Sequence, residues 1–197
     1  MKGAGIIIYF IKNKIPYILT GIEGKYISDY NKSIKKLEWT NVKHYEDHFI
    51  SIARRYSDLV HYDQIVTRLG GYSVNFLKVM NESKEGIVKG GMDKIDNDNY
   101  INTINREMKE EIGINLNELN ALHLIDDLGI VDGYKIFSLC VNRNQISQIE
   151  YSIFEMDLKH KGELFHTSFK SLHHINYKRI NSKTKKGLQL LKLFLNL

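Results

Sequence analysis

The sequence predicts an α/β fold, and three features carry the prediction. Short apolar segments rich in β-branched residues recur along the chain. The stretch from Tyr100 to Ile112 repeats its apolar residues at helical spacing, and the chain closes on a second stretch of that kind. Strand-like and helix-like patterns therefore interleave, as they do where a sheet and helices share one core.

Taken in order, Gly5 to Phe10 is an apolar strand, Lys12-Asn13-Lys14 a polar turn, and Ile15 to Ile22 a second extended run. Together they read as a hairpin. The character changes between Gly24 and about Glu85. Phe49, Ile52, Tyr56, Leu59 and Val60 recur at helical spacing between Tyr45 and Leu69, with no internal glycine or proline. Gly70-Gly71 stops that pattern, and Val74 to Met80 forms another short element. The region is expected to be a helical insertion, at about 24–85, within a single domain spanning 1–197. Gly90-Gly91 then introduces a polar loop that leads into the Tyr100–Ile112 helix. Leu122 to Leu128 and Tyr134 to Val141 read as strands joined at Asp132-Gly133, and Leu164 to Phe169 as another. Leu188, Leu191 and Leu195 mark the apolar stripe of a closing helix.

A chain of 197 residues that is 43% hydrophobic is long enough to bury one core. It has no uninterrupted apolar run of about 18 residues, so no membrane span is expected. The apolar segment near the N-terminus is too short, and lacks the small-residue cleavage site, for a secretory signal. One cysteine, Cys140, excludes an intrachain disulfide framework and fits a reducing compartment. A cytoplasmic location is the expectation. Lys and Arg total 28 against 23 Asp and Glu, a net charge of +5. That balance suits a polyanionic ligand such as nucleic acid, and equally suits ordinary solubility.

The segment GGMDKIDNDNYINTINREMKEEIGI, Gly90 to Ile114, carries the chemistry. On a helix, Ile101, Ile104, Met108 and Ile112 form an apolar stripe, while Glu107, Glu110 and Glu111 share another face at i, i+3 and i+4. Like charges at those spacings destabilise a helix by some tenths of a kcal/mol per pair. A hard divalent cation removes the repulsion and explains the arrangement. Alone, three glutamates would more often be a solvated helix surface. Gly113 stands where the helix needs a residue free to take positive φ.

The run Arg106-Glu107-Met108-Lys109-Glu110-Glu111-Ile112-Gly113-Ile114 resembles the second half of the Nudix box, Arg-Glu-apolar-any-Glu-Glu-any-Gly-apolar, at every specified position. The first half departs from it. Where the family has a glutamate, eight residues before Arg106, stands Asp98, with Asp96 as a competitor. The glycine pair Gly90-Gly91 lies one residue too far upstream, so the partner of Arg106 is left open between the two aspartates. The resemblance implies a Nudix-type α/β/α sandwich with a mixed sheet, the box forming a loop–helix–loop that holds Mg²⁺ or Mn²⁺. Glu107, Glu110 and Glu111 would bind the metal and Arg106 would orient a glutamate. The reaction implied is hydrolysis of a nucleoside diphosphate linked to another group. Members often recruit one more acidic residue from outside the box. Glu163, just before the Leu164–Phe169 strand, is preferred here over Glu150 and Glu155.

The overall plan also resembles the viral mRNA-decapping Nudix enzymes of poxviruses and other large DNA viruses. They too place a helical insertion ahead of a Gly-Gly loop and an Arg-Glu-apolar-Lys-Glu-Glu helix. The resemblance implies capped RNA as substrate, methylated GDP as product and aromatic stacking on the cationic base. Tyr30, Trp39 and Tyr134, with Gly90 and Gly91, are the expected substrate-binding residues, and Tyr26 and Phe137 are further aromatics in range. Lys32, Lys35, Lys36, Arg54 and Arg55 would track the RNA backbone or form a solvated face. The alternatives are a hydrolase of free nucleotides, dinucleoside polyphosphates or diphosphoinositol phosphates, and a non-catalytic RNA-binding protein on the same fold. The intact glutamates weigh against the second.

Overall fold

The computed structural model describes residues 2–23, 84–159, 164–178 and 180–197. The expected helical elements between Tyr45 and Met80, together with Tyr26, Tyr30, Trp39, the basic residues Lys32 to Arg55 and Glu163, lie outside the described residues.

Strand β1 (Gly3–Lys12) turns back through Asn13 and Lys14 into β2 (Ile15–Glu23). Both turn residues take positive φ, 52° and 64°, the geometry of a two-residue turn whose twist matches the strands it joins. Two short strands follow the undescribed segment: β3 (Lys84–Gly86) against β2, and β4 (Val88–Gly91) against the first half of β1. On its other edge β1 pairs in parallel with β6 (Tyr134–Cys140), from Gly3↔Tyr134 to Tyr9↔Cys140. Strand β5 (Ile125–Val131) lies antiparallel outside β6, and β7 (Leu164–Ser171) runs antiparallel along the far side of β2. The described strands thus form a seven-stranded mixed sheet.

Helices cover both faces. Alternate residues of β1 point to opposite sides. Ile6 and Ile8 join Ile104, Met108 and Ile112 of α1 (Tyr100–Ile112) and Ile149 and Ile153 of α2 (Arg143–Lys159). Ile7 and Tyr9 join Leu188 and Leu191 of α3 (Ser182–Phe194). A strand buried on both faces needs apolar residues at every position, which is why β1 reads as a continuous run. Full burial of each such side chain is worth about 1.5–3 kcal/mol. The molecule is therefore a mixed α/β fold, with sheet between helical layers.

The short strands β3 and β4 had no sequence prediction, and two further elements differ from the sequence expectation. Leu122 to Leu128 is not one strand: Leu122–Leu124 is a single 3₁₀ turn with exposed leucines, and β5 begins at Ile125. Asn120, at φ 49°, reverses the chain, and the Ala121 amide donates to the Leu116 carbonyl, so extension cannot begin earlier. Helix α2 had no sequence prediction at all. Asn142 and Gln145 cap it reciprocally, each backbone N–H donating to the other's side-chain oxygen at 3.0 Å. Ile146, Ile149 and Ile153 supply its buried stripe.

Candidate active site

Helix α1 starts cleanly because Asn99 caps it, its side-chain oxygen accepting from the amides of Ile101 and Asn102. It stops at Gly113, whose φ is 81° and where a Cβ would meet Ser152 and Met156 at 2.6 Å. Between these ends the helix buries two neighbouring stripes. One is apolar, Ile104, Met108 and Ile112. The other is polar: Thr103, Glu107 and Glu111, each one turn apart and exposed by 0%, 7% and 6%. A buried carboxylate persists only with partners, so this second stripe has to be met from outside the helix.

Strand β4 meets it. The Lys89 amide donates to Glu111 Oε2 at 3.1 Å. Gly90 has no side chain because Glu107 fills the space: a Cβ there would fall inside the carboxylate. Its glycine is thus required by close approach. Glu110, on the outer side, has a side chain that is 51% exposed.

Arg106 ties the loop to the helix. Its Nε and Nη2 donate to Asp96 Oδ1 and Oδ2 at 3.2 and 3.0 Å, a bidentate pair. Nη2 also donates to the Gly91 carbonyl at 2.6 Å, and Nη1 to Glu107 and Glu110 at 2.6 and 3.0 Å. Asp96, not Asp98, is therefore the partner of Arg106. Asp96 is 2% exposed and also accepts from the Asp93 amide at 2.8 Å and the Thr103 hydroxyl at 3.0 Å. Asp98 lies exposed on a turn, with φ 55°. The Arg106 guanidinium holds the Asp96 carboxyl below the usual carboxylate range against the opposing effect of burial, and Asp93 and Thr103 reinforce it. The pairing raises the Arg106 pKa in turn.

As a metal site the arrangement is a partial donor set. Among the described residues no three His, Cys, Asp or Glu side chains are grouped closely enough to form a complete one. What is present fits Mg²⁺ or Mn²⁺ in kind: hard carboxylate oxygens from Glu107 and Glu111 held at the β4 edge, with Glu110 beside them. The Gly90 cradle shows that the Glu107 carboxylate is seated rather than adrift.

Other expected site residues sit differently. Gly91 contributes its carbonyl to Arg106. Tyr134 is buried: a Cβ on Gly3 would lie 2.6 Å from its ring, and Lys183 Nζ stands 3.4 Å above the centroid. The ring is buried and one face already holds a cation. Phe137 packs in the core, in register with Ile6 of β1. Glu150 is exposed on α2, while Glu155 lines a shallow cavity of about 350 Å³ beyond the far end of α1, with Gly113, Glu118 and Tyr151. Sequence reasoning missed Asp93 and Thr103. Asp93-x-x-Asp96 is a capping-box pattern, and Thr103 lies one turn before Glu107; both were signals in plain sight.

No known protein family's model matches the chain, and no curated protein matches it significantly.

Proposed function

We propose that the chain is a metal-dependent hydrolase of the Nudix type that cleaves a phosphoanhydride bond, with capped RNA as its substrate. The observation that carries the reading is the buried polar stripe of α1, locked by Arg106 to Asp96 and the Gly91 carbonyl. Burying two carboxylates side by side is costly, and a fold gains nothing from it unless they do something.

In this reading Glu107 and Glu111 hold a Mg²⁺ or Mn²⁺ ion, with Glu110 presenting a further oxygen from the solvent side. Bound there, the ion would neutralise phosphate charge and lower the pKa of a water. Arg106 is a positioning residue: with Asp96 behind it, it fixes the Gly91 carbonyl and the Glu107 and Glu110 carboxylates in one arrangement. Glu163 is the acid expected to join from outside the box. The net charge of +5 favours a long polyanion over a small nucleotide. Tyr30 and Trp39 remain the aromatics expected to stack on the cap.

The test is release of methylated GDP from cap-labelled RNA with Mg²⁺ or Mn²⁺, beside a panel of free nucleotides. The proposal expects capped RNA to be the better substrate, uncapped RNA to compete, and binding to weaken with salt at a log–log slope near −0.7 per phosphate contacted. The covered face of Tyr134 favours a second reading, a hydrolase of free nucleotides that needs no such stack. That reading expects efficient turnover of a free nucleotide and weak salt dependence. Absence of any metal-dependent hydrolysis would overturn both.

A further inference from the structure

Thr103 is an odd residue for the middle of a helix. Its branched side chain restricts its rotamers, and its hydroxyl ordinarily bonds back to the carbonyl four residues earlier. Here it is fully buried, and its hydroxyl lies 3.2 Å from that carbonyl, Asn99 O, and 3.0 Å from Asp96 Oδ2. The two acceptors compete for one hydrogen, which is shared at best as a three-centre bond. The carboxylate is the stronger acceptor and the nearer one, so Asp96 takes the larger share.

The consequence follows from counting what Asp96 must do. Its side chain is one carbon shorter than the glutamate of the Nudix box, and it stands ten residues before Arg106 rather than eight. It reaches the guanidinium only if the loop brings it there and if its carboxylate plane is fixed. Asn97 and Asp98, both at positive φ, make the tight turn that returns the chain to α1. The Asp93 amide and the Thr103 hydroxyl then fix the plane, both on Oδ2, while Nε of Arg106 takes Oδ1. Thr103 also begins the stripe that continues as Glu107 and Glu111, so it reaches Asp96 from the same helix face that carries the glutamates.

We propose that Thr103 is a positioning residue that acts through Asp96 and Arg106 to set the Glu107 and Glu110 carboxylates for a divalent cation. Its catalytic consequence rests on the hydrolase reading; its structural consequence, the orientation of Arg106, does not. Partners bonded directly to a metal ligand are worth about 10–100-fold in metal affinity or activity; Thr103 acts through two further hydrogen bonds, so the low end of that range is expected.

The experiment compares the intact chain with Thr103→Val, which keeps the shape and loses the hydroxyl, and Thr103→Ser, which keeps the hydroxyl. Three quantities are read: Mn²⁺ affinity by calorimetric titration, metal-dependent turnover, and hydrogen exchange of the Arg106 Nε–H by NMR. The expected result is at least about 10-fold weaker Mn²⁺ binding and slower turnover in Thr103→Val, with faster Arg106 exchange and recovery to within a few-fold in Thr103→Ser. Unchanged Arg106 exchange in Thr103→Val overturns the proposal, as does equal damage in Val and Ser variants, which marks Thr103 as packing alone. If the unsubstituted chain neither binds Mn²⁺ nor hydrolyses anything, yet Thr103→Val still frees Arg106, the hydrolase reading falls and the positioning role stands.

Discussion

Helix α1 carries an ion pair on each half, and the two are physically different objects. Arg106–Asp96 is bidentate, its side chains 17% and 2% exposed, and each partner makes further hydrogen bonds. Lys109–Glu118 is shorter, 2.6 Å, but its side chains are 51% and 45% exposed. Distance would rank the second pair higher; burial reverses the ranking. Water and salt screen the exposed pair almost completely, whereas breaking the buried one leaves a charge in a place with little access to water. The helix is thus held most firmly on the face that meets strand β4 and Asp96, the face that carries Glu107 and Glu111.

The largest expected effect tests that contrast directly. Asp96→Ala should lower stability to urea by roughly 3 kcal/mol, about 6–12 °C in melting temperature, the low end for a broken buried pair because Arg106 keeps Glu107 and Glu110. Asp98→Asn, which tolerates positive φ, should stay within about 0.5 kcal/mol. If the two substitutions cost the same, the bidentate pair is not what holds the loop.

Next in size is Glu111→Gln. Glutamine can still accept from the Lys89 amide, so the fold should survive while turnover falls by roughly 10²-fold or more, about 2.7 kcal/mol of lost transition-state stabilisation. Turnover within a few-fold of the unsubstituted chain at saturating Mg²⁺ would remove Glu111 from the chemistry. A collapse in melting temperature would make the glutamate structural.

The Asp96 pair also has a pH signature. Its carboxyl is depressed in the folded state, chiefly by Arg106, from an ordinary value of 3.8. The folded form therefore holds the charged carboxylate more tightly than the unfolded chain does, and that stability is present above the ordinary value. It is lost as pH falls through the depressed native value. The stability gap between the unsubstituted chain and Asp96→Asn should accordingly be constant near neutral pH and shrink below about pH 4. A gap that is flat down to acid unfolding would contradict the assigned charge state.

Much of this was legible beforehand, and the reason is periodicity. The Tyr100–Ile112 helix has the predicted bounds because its apolar spacing, an N-capping asparagine and Gly113 agree. The β1–β2 hairpin and the Asp132-Gly133 turn were legible through their turn residues, and the closing helix through its leucines. What failed lacked a period or was misread. Leu122 and Leu124 look like a strand by composition but sit exposed on a turn. Helix α2 spreads its apolar residues widely, with Tyr151 and Phe154 facing solvent, so its stripe is diluted. The Asp96–Asp98 question could not be settled by spacing, because loop geometry decides which of two carboxylates two residues apart turns inward. Within the candidate site, the glutamates followed from helical spacing; the capping box of Asp93 and the one-turn spacing of Thr103 were local signals left unread, and the Lys89 amide is a long-range partner that only packing supplies.

The smallest expected effect is at the other ion pair. Glu118 does two things: it accepts from Lys109 Nζ, and its Oε2 caps the Asn115 amide at 2.9 Å while Asn115 Oδ1 accepts the Glu118 amide in return. Glu118→Ala should therefore cost about 1 kcal/mol, nearly all of it from the lost cap. Lys109→Ala removes only the exposed pair and should cost a few tenths of a kcal/mol. A double-mutant cycle on urea stability separates the two contributions, and the coupling between Lys109 and Glu118 should come out below about 1 kcal/mol and fade further at high salt. The same cycle for Arg106 and Asp96 should give a coupling several times larger and less sensitive to salt, since Asp96 is buried and Arg106 largely so. A Lys109–Glu118 coupling as large as the buried one would mean that the short distance, and not burial, sets the strength of both pairs.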